Sequence, residues 1–271
     1  MTVLARGMTP GPPDRGARPP GAPAPSARSG EPARADGAPG ASLALLLQAL
    51  DTVRDPELDE PITALGFVAG CDITAAGDAL VRLRLPTYFC APNFAFLMVA
   101  DAYDAAVAVP GVRRAEVVLE EHFASDAING GVAARAGFAR SFDGEAVGEL
   151  HDLRAAFLRK AVLAGTDQVC RPLLTAGTEP AALLELTLGD LPPSAALARL
   201  RERRAELGLA AGDDAPLVID PATGERVSAD AAPLHLRRAR TTRIGIEANG
   251  GICRGMLRHR YGSSGRGEEE Q

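Results

Sequence analysis

The chain has 271 residues, of which 46% are hydrophobic and 24% are charged, a composition typical of an ordinary soluble globular protein with one or two domains. Its formal net charge of -6 argues against nucleic acid as the main partner, because phosphate binding requires a basic surface. No apolar run approaches the length of a membrane span, and no apolar segment follows Arg6 as in a secretory signal, so the sequence predicts a cytoplasmic protein that does not act at a membrane.

The first segment, residues 1–40, is predicted to be a disordered tail. Pro, Gly, Ala and Arg dominate it, and such a composition cannot bury enough apolar surface to offset the entropy of ordering. Leucines at helical spacing after Ser42 then predict a helix that ends before Pro56. A turn follows at Asp55-Pro56-Glu57, and Gly66 interrupts the pattern ahead of the first strand.

Two alternating segments predict a β-hairpin. Every second side chain of the first segment, residues 67–74, is assigned to one face: Phe67, Ala69, Cys71 and Ile73. The residues Ala75-Ala76-Gly77-Asp78 supply a turn, and residues 81–85 form the partner strand.

A helix is predicted from Pro92 to Val109, stopped by Pro110-Gly111, and a last strand covers residues 114–120. The order of helix, hairpin, helix and strand predicts an α+β domain over residues 41–123, with the helices packed on one face of the sheet.

Residues 124–261 are predicted to be a mostly helical extension with a basic C-terminal segment, and residues 262–271 a second disordered tail. The predicted helices cover residues 127–138, 145–164 and 192–207. A small β hairpin is predicted from Leu217-Val218-Ile219 and Arg226-Val227, while the stretch from His235 to Arg260 is rich in arginine.

Cys90 is the strongest candidate for a functional side chain. It stands just before Ala91-Pro92, where a helix begins, and the positive end of a helix favours the thiolate that binds iron, zinc or a cluster. The alternative is a buried cysteine that acts as a small hydrophobe. The four cysteines form no CxxC pair, so reduced thiols are expected, with Cys71 in the core and structural roles for Cys170 and Cys253.

Two acidic side chains and a later polar group are further candidates. Asp55 and Glu57 could accept hydrogen bonds from backbone donors near Cys90 or bind iron through oxygen, or they could serve only the turn. The polar cluster His122, Asp126 and Asn129 could hold a metal, although an exposed strand end with solvated charges is the favoured alternative. No phosphate loop, nucleophile elbow or zinc-protease motif is present, so the sequence indicates no enzyme.

The motifs of residues 43–122 occur in a recognisable order. An apolar helix is followed by Asp55-Pro56-Glu57-Leu58, then by Leu65-Gly66-Phe67-Val68, and then by the hairpin with Thr87 and Cys90 before the next helix. In this order the segment resembles the metal–sulfur (iron–sulfur) cluster biosynthesis family, the small domain of SufT-like and PaaD-like proteins. It departs from the family pattern at Ala91, which separates the Cys-Pro pair, and at Ala64, where an acidic residue is usual.

The resemblance implies a role for each matching position. Cys90 corresponds to the cysteine regarded as functional in the family, Asp55 and Glu57 to its acidic motif, and Thr87 and Gly66 to further motif positions. It implies a maturation factor that transiently holds iron or an iron–sulfur cluster and delivers it to a client metalloenzyme. Since one cysteine cannot hold a cluster, a homodimer or a site shared with the client is expected. The alternative is a non-catalytic accessory subunit that stabilises an iron-dependent oxygenase system, with a di-iron oxygenase as one candidate.

Overall fold

A computed structural model describes residues 42–142 and 150–262, and every structural statement below concerns these ranges. The predicted N-terminal tail lies outside them, as do residues 263–271 and residues 143–149, where the predicted helix 145–164 begins. The described residues belong to one compact unit, Ala38–Gln271.

The first half folds as the α+β domain that the sequence predicts. Its elements are α1 (Leu43–Leu50), β1 (Val68–Ile73), β2 (Asp78–Arg84), α2 (Pro92–Val107) and β3 (Arg114–Glu120). The sheet is mixed, in the order β1-β2-β3: the hairpin pairs β1 antiparallel to β2, and the crossover through α2 brings β3 parallel to β2. The thiol loop, residues 86–91, therefore connects the end of the central strand to the start of α2.

A β-bulge in β1 changes the predicted assignment of its side chains. Val68 pairs with Leu83 and Gly70 with Arg82, so two steps along β1 match one step along β2. The extra residue, Ala69, is exposed and does not share the buried face. Beyond the bulge, Cys71 and Ile73 pack against the core as predicted.

One face of the sheet and the helices beside it enclose the first hydrophobic core. The strands contribute alternate side chains to this core: Ala79, Val81, Leu83, Val117 and Leu119. The leucines Leu46 and Leu50 of α1 are fully buried against it, which explains why that helix forms where the sequence predicts it. The Ser42 side chain caps α1 by accepting from the Leu45 amide at 3.2 Å.

The second half is mostly helical and has its own core. Its helices are α3 (Ser125–Ala133), α4 (Phe138–Ser141), α5 (His151–Thr175), α6 (Ala195–Glu206) and α7 (Ala232–Tyr261). The second core lies chiefly among α5, α6 and the segment 183–191, and it includes Leu183, Leu188 and Leu217. None of the helices in residues 42–142 and 150–262 is both long and apolar enough to cross a bilayer.

The predicted C-terminal hairpin is wrong. Ile219 and Arg226 form only an isolated bridge, and the residues around them are in no strand. The backbone groups that would extend a ladder bond elsewhere: the Leu217 amide donates to the Leu186 carbonyl, and the Leu217 carbonyl accepts from Arg204 at 2.7 Å. The apolar run 217–219 is therefore a buried core segment, which periodicity alone does not distinguish from a strand.

The basic stretch from His235 to Arg260, part of the predicted helical extension, lies within the long helix α7. Thirty residues give it a length of about 45 Å. Ala232 at its beginning is part of the second core, whereas Cys253 and Leu257 near its end pack against the first. A buried ion pair between Arg243 and Asp167 (2.6 Å) holds the middle of α7 to α5. Helix α7 thus extends from the second core to the α+β domain.

Candidate functional site

Cys90 lies on the thiol loop and is partly exposed. Helix α2 begins two residues later, with Ala91 as its N-cap and Pro92 as its first residue. The Cys90 sulfur lies 3.3 Å from the Thr87 hydroxyl, which also accepts from the Phe89 amide at 3.2 Å. The Thr87 motif position therefore shapes the loop and contacts the thiol directly.

His122 fastens this loop to the end of β3. Its Nδ1 accepts from the Ala124 amide at 3.2 Å, so Nε2 carries the proton and donates to the Cys90 carbonyl oxygen at 2.7 Å. The ring is only 3% exposed, and burial lowers the pKa of His122 below its ordinary value, with the nearby Arg260 charge acting in the same direction. A neutral ring with both nitrogens engaged is a positioning group for Cys90.

The other two members of the predicted polar cluster serve separate purposes. Asn129 bonds the backbone of Leu119 twice, accepting from its amide at 2.8 Å and donating to its carbonyl at 3.1 Å. Asp126 is exposed in the first turn of α3, where its charge favours the helix N-terminus. His122 is buried, so the expected exposed strand end does not describe it, and Asn129 has its amide committed to the strand.

Asp55 organises the turn of residues 55–60, called the acidic turn below. Its Oδ1 accepts from the amides of Glu57 (2.9 Å) and Leu58 (2.8 Å), and its own carbonyl accepts from the Asp59 amide. The side chain is buried, and this burial raises the pKa of Asp55 to about 6, with Glu57 and Glu60 adding to the rise and the two amide hydrogen bonds opposing it. Asp55 therefore forms the turn, as one of the two sequence interpretations predicts, with its carboxylate bonded to amides of the turn itself, while iron binding through its oxygens stays a prediction.

Helices of the second half pack against the acidic turn from outside. Arg203 of α6 donates to Asp59 at 2.6 Å, and Arg254 of α7 donates to Glu60 at 2.5 Å. A cavity of about 330 Å³ lies between the turn and α5, α6 and α7. The turn is consequently held by residues from a part of the chain that the family resemblance does not cover.

Cys253 packs against the first core, in line with the structural role that the sequence predicts for it. It comes directly before Arg254, which binds Glu60, and seven residues before Arg260, which donates to the carbonyls of Leu85 and Glu121. Burial raises the pKa of the Cys253 thiol, and so do the negative charges of Asp55, Cys90 and Glu57. Through Arg254 and Arg260, the C-terminal part of α7 contacts Glu60 and the backbone at Leu85 and Glu121.

The remaining two cysteines are placed as the sequence predicts. Cys71 packs against the core, where burial and then the Asp72 charge raise the pKa of its thiol. Cys170 is fully buried in the second core, and burial raises its pKa to about 12. Both thiols thus pack as apolar side chains, and burial disfavours their charged forms. Among the described residues, no group of three or more His, Cys, Asp and Glu side chains is arranged to hold a metal ion.

Three exposed aromatic side chains lie beside Cys90. Tyr88, Phe89 and Phe123 have exposed fractions of 46%, 76% and 49%, and their ring centroids lie 5.0 to 6.3 Å apart. The Phe123 amide bonds the Tyr88 carbonyl, which fixes the two chain segments that carry them. Exposed aromatic clusters of this kind are typical of contact surfaces.

These features define a small α+β domain that presents one cysteine on a loop held by His122 and that also carries an acidic turn. Residues 44–118 match the family model described as "Iron-sulfur cluster assembly protein", so this segment is an iron–sulfur cluster assembly domain, as the resemblance predicted. Proteins of this family are generally non-catalytic accessory proteins. Searches of curated proteins and of solved structures gave no match.

Proposed function

We propose that the protein is an assembly or maturation factor that transiently holds iron or an iron–sulfur cluster through Cys90 and delivers it to a client metalloenzyme. The observation that carries this proposal is the Cys90 loop inside a cluster-assembly domain: the sulfur is partly exposed, while its backbone is held by His122 and its side chain contacts Thr87. A rigid loop with an accessible sulfur can bind a metal and still release it to another protein.

The chemistry of this step is ligand exchange. A thiol binds a metal as the thiolate, so Cys90 gives up its proton when the cargo binds and recovers one when the cargo leaves. Asp55 and Glu57, which the resemblance matches to the acidic motif of the family, add negative charge to the domain and so favour a cationic cargo. Since clusters take about four ligands, other groups must complete the coordination during transfer.

The client is expected to dock on the aromatic side chains Tyr88, Phe89 and Phe123. They flank the cargo-bearing sulfur, and exposed aromatic rings supply much of the binding energy in protein interfaces. Helices α6 and α7 hold the acidic turn through Arg203 and Arg254, so the second half of the described chain supports this domain. A client-binding experiment should therefore use the full chain.

The test is the iron and sulfide content, with an absorption spectrum, of protein purified anaerobically as wild type, Cys90→Ala and Cys71→Ala. Cys71→Ala is the matched control, because its thiol packs against the core. Iron with sulfide that is lost only in Cys90→Ala supports cluster handling, and iron without sulfide supports iron delivery. If folded wild type stays free of metal after reconstitution, the proposal fails and an accessory, client-stabilising subunit becomes the better description.

A further inference from the structure

We propose that the free edge of β3 binds an extended segment of a partner protein, which joins the three-stranded sheet as a fourth strand beside Ala115 and Val117. The segment carries an acidic residue facing Arg114 and a basic residue facing Glu116, with apolar residues at the alternate positions. This inference goes beyond the proposed function, because peptide binding at this edge requires neither Cys90 nor a metal.

Strand β3 is an edge strand, with β2 on one side and no strand on the other within the described residues. The amide and the carbonyl of Leu119 both bond the Asn129 side chain, so the backbone groups of Leu119 point away from β2. The direction of these groups alternates along a strand that has a parallel neighbour on one side. The amides and carbonyls of Ala115 and Val117 therefore point away from β2 as well.

The outward groups of Ala115 and Val117 have no partner. No hydrogen bond from elsewhere in residues 42–142 and 150–262 reaches them. Ala115 is half-buried and Val117 is buried, so water serves these groups poorly, and an unpaired buried backbone group is costly. At Leu119 the carboxamide of Asn129 takes the place of a neighbouring strand, and the edge is open just beyond it.

A groove of about 410 Å³ lies along this open edge. Its lining comes from residues 113–118, from Val132 and Ala133 of α3, and from Tyr103 of α2. Strand addition to an exposed sheet edge is a recurrent mode of peptide recognition, in which main-chain hydrogen bonds give affinity and alternate side chains give specificity. The groove therefore gives an added strand room beside the unpaired backbone groups.

The charges along the edge define the occupant. Arg114 and Glu116 are exposed, and neither forms an ion pair within the described part of the chain, whereas Glu120 on the same face pairs with Arg84 of β2. Opposite charges that face each other across two strands are favourable, so Arg114 matches an acidic residue and Glu116 a basic one. The alternate side chains of the added strand lie on the core side of the sheet, where apolar residues fit.

A second copy of the chain and the N-terminal segment fit this edge less well. Antiparallel pairing of two β3 strands through Ala115 and Val117 sets Glu116 opposite Glu116 of the second copy, and like charges in that position are destabilising. Proline is frequent in residues 1–40 and has no amide to donate to a sheet. A segment of a partner protein is therefore the better occupant.

The test titrates the full-length, isotope-labelled protein with peptides blocked at both ends and follows each backbone amide by NMR. The first peptide, Asp-Val-Lys-Val-Asp, presents the proposed pattern in either strand direction. The second, Lys-Val-Asp-Val-Lys, has the charges exchanged, and the third is the first peptide N-methylated at both valines, which removes main-chain donors. We expect the first peptide to shift the amide signals of Ala115 and Val117 and to bind about 3- to 10-fold more tightly than the second, while the third does not bind.

Variants of the protein supply the matched controls. The double variant Arg114→Glu, Glu116→Lys should prefer the second peptide. Glu225→Lys, a change of an exposed side chain in the second half of the chain, should bind the first peptide as wild type does. Cys90→Ala should do the same, so a failure of metal binding and a failure of peptide binding are told apart.

Three outcomes overturn the inference. Equal binding of the first two peptides, or binding of the methylated one, would show attraction without strand pairing. If no peptide shifts the signals of Ala115 and Val117 and sedimentation shows a dimer, a second copy is the better occupant. If no peptide shifts them and the protein is a monomer, the edge is not a peptide-binding site.

Discussion

His122 Nε2 donates a hydrogen bond to the carbonyl oxygen of Cys90 over 2.7 Å, although the two residues are 32 positions apart in the chain. This bond joins the end of β3 to the loop that begins after β2. Because β2 and β3 are parallel neighbours, their carboxyl ends meet at one edge of the sheet, and the bond forms there. The position of the thiol is thus set by the sheet topology as well as by the loop.

Replacing His122 by Ala should free the thiol loop. The variant loses the bonds to Cys90 and Ala124 and a buried ring, which we expect to lower the free energy of unfolding by about 2–3 kcal/mol. Hydrogen exchange in residues 86–91 should accelerate at the same time. Chemical denaturation and exchange mass spectrometry measure the two effects, with the exposed His151→Ala as control. Unchanged exchange in the loop would contradict the positioning role.

Replacing Asp55 by Asn should stabilise the protein relative to the wild type, and this gain should be larger at neutral pH than at acidic pH. The folded state raises the pKa of Asp55 from 3.8 to about 6, so it binds the proton more tightly than the unfolded chain does. The contribution of Asp55 to stability is therefore fully favourable below pH 3.8 and is lost as the pH rises through about 6. Asparagine keeps the acceptor oxygen but has no charge to bury.

The stability difference between Asp55→Asn and wild type should thus grow by up to about 3 kcal/mol between roughly pH 4 and pH 7. Urea denaturation across this range measures it. Asp72→Asn is the control, because the Asp72 side chain is 68% exposed and should give a flat difference. A flat difference for Asp55→Asn would mean that the buried carboxyl does not titrate in this window.

Replacing Arg260 by Ala should loosen the end of α7 and expose Cys253. The guanidinium bonds the carbonyls of Leu85 and Glu121, and hydrogen bonds to a charged donor contribute about 2 kcal/mol. Local opening should therefore rise by a factor of roughly 30, seen as faster alkylation of Cys253. Arg258→Ala, an exposed neighbour on the same helix, should leave the alkylation rate unchanged. Equal rates in both variants would show that Arg260 does not hold this end.

Two glycine-to-alanine changes should have opposite signs. Gly66 has a φ of +77°, and a Cβ there would lie 3.2 Å from Leu257 Cδ2, so Gly66→Ala should cost about 1–3 kcal/mol. Gly245 lies inside α7 with no atom within 4 Å of a new Cβ, so Gly245→Ala should stabilise by about 0.5–1 kcal/mol. Thermal or urea denaturation of the two variants decides; a neutral Gly66→Ala would mean that the turn relaxes.

The α+β domain could be predicted because its signals are local. Ser42 caps a helix, Pro92 starts one, and the strands alternate with a period of two, so each element is determined by residues close to one another in sequence. The bulge at Ala69 could not be predicted, since it depends on how β1 pairs with β2. The wrong hairpin at residues 217–219 has a similar cause: burial, rather than pairing, explains its apolar run.

The sequence by itself thus determined the domain, the thiol loop and the acidic turn, because propensity, capping and periodicity act over a few residues. Only the tertiary structure decided that α7 packs against the α+β domain. Its place depends on residues far away in the chain, as in the contact between Arg254 and Glu60 across 194 positions. No local pattern encodes such a contact, since burial, charge pairing and helix length together decide where the end of α7 lies.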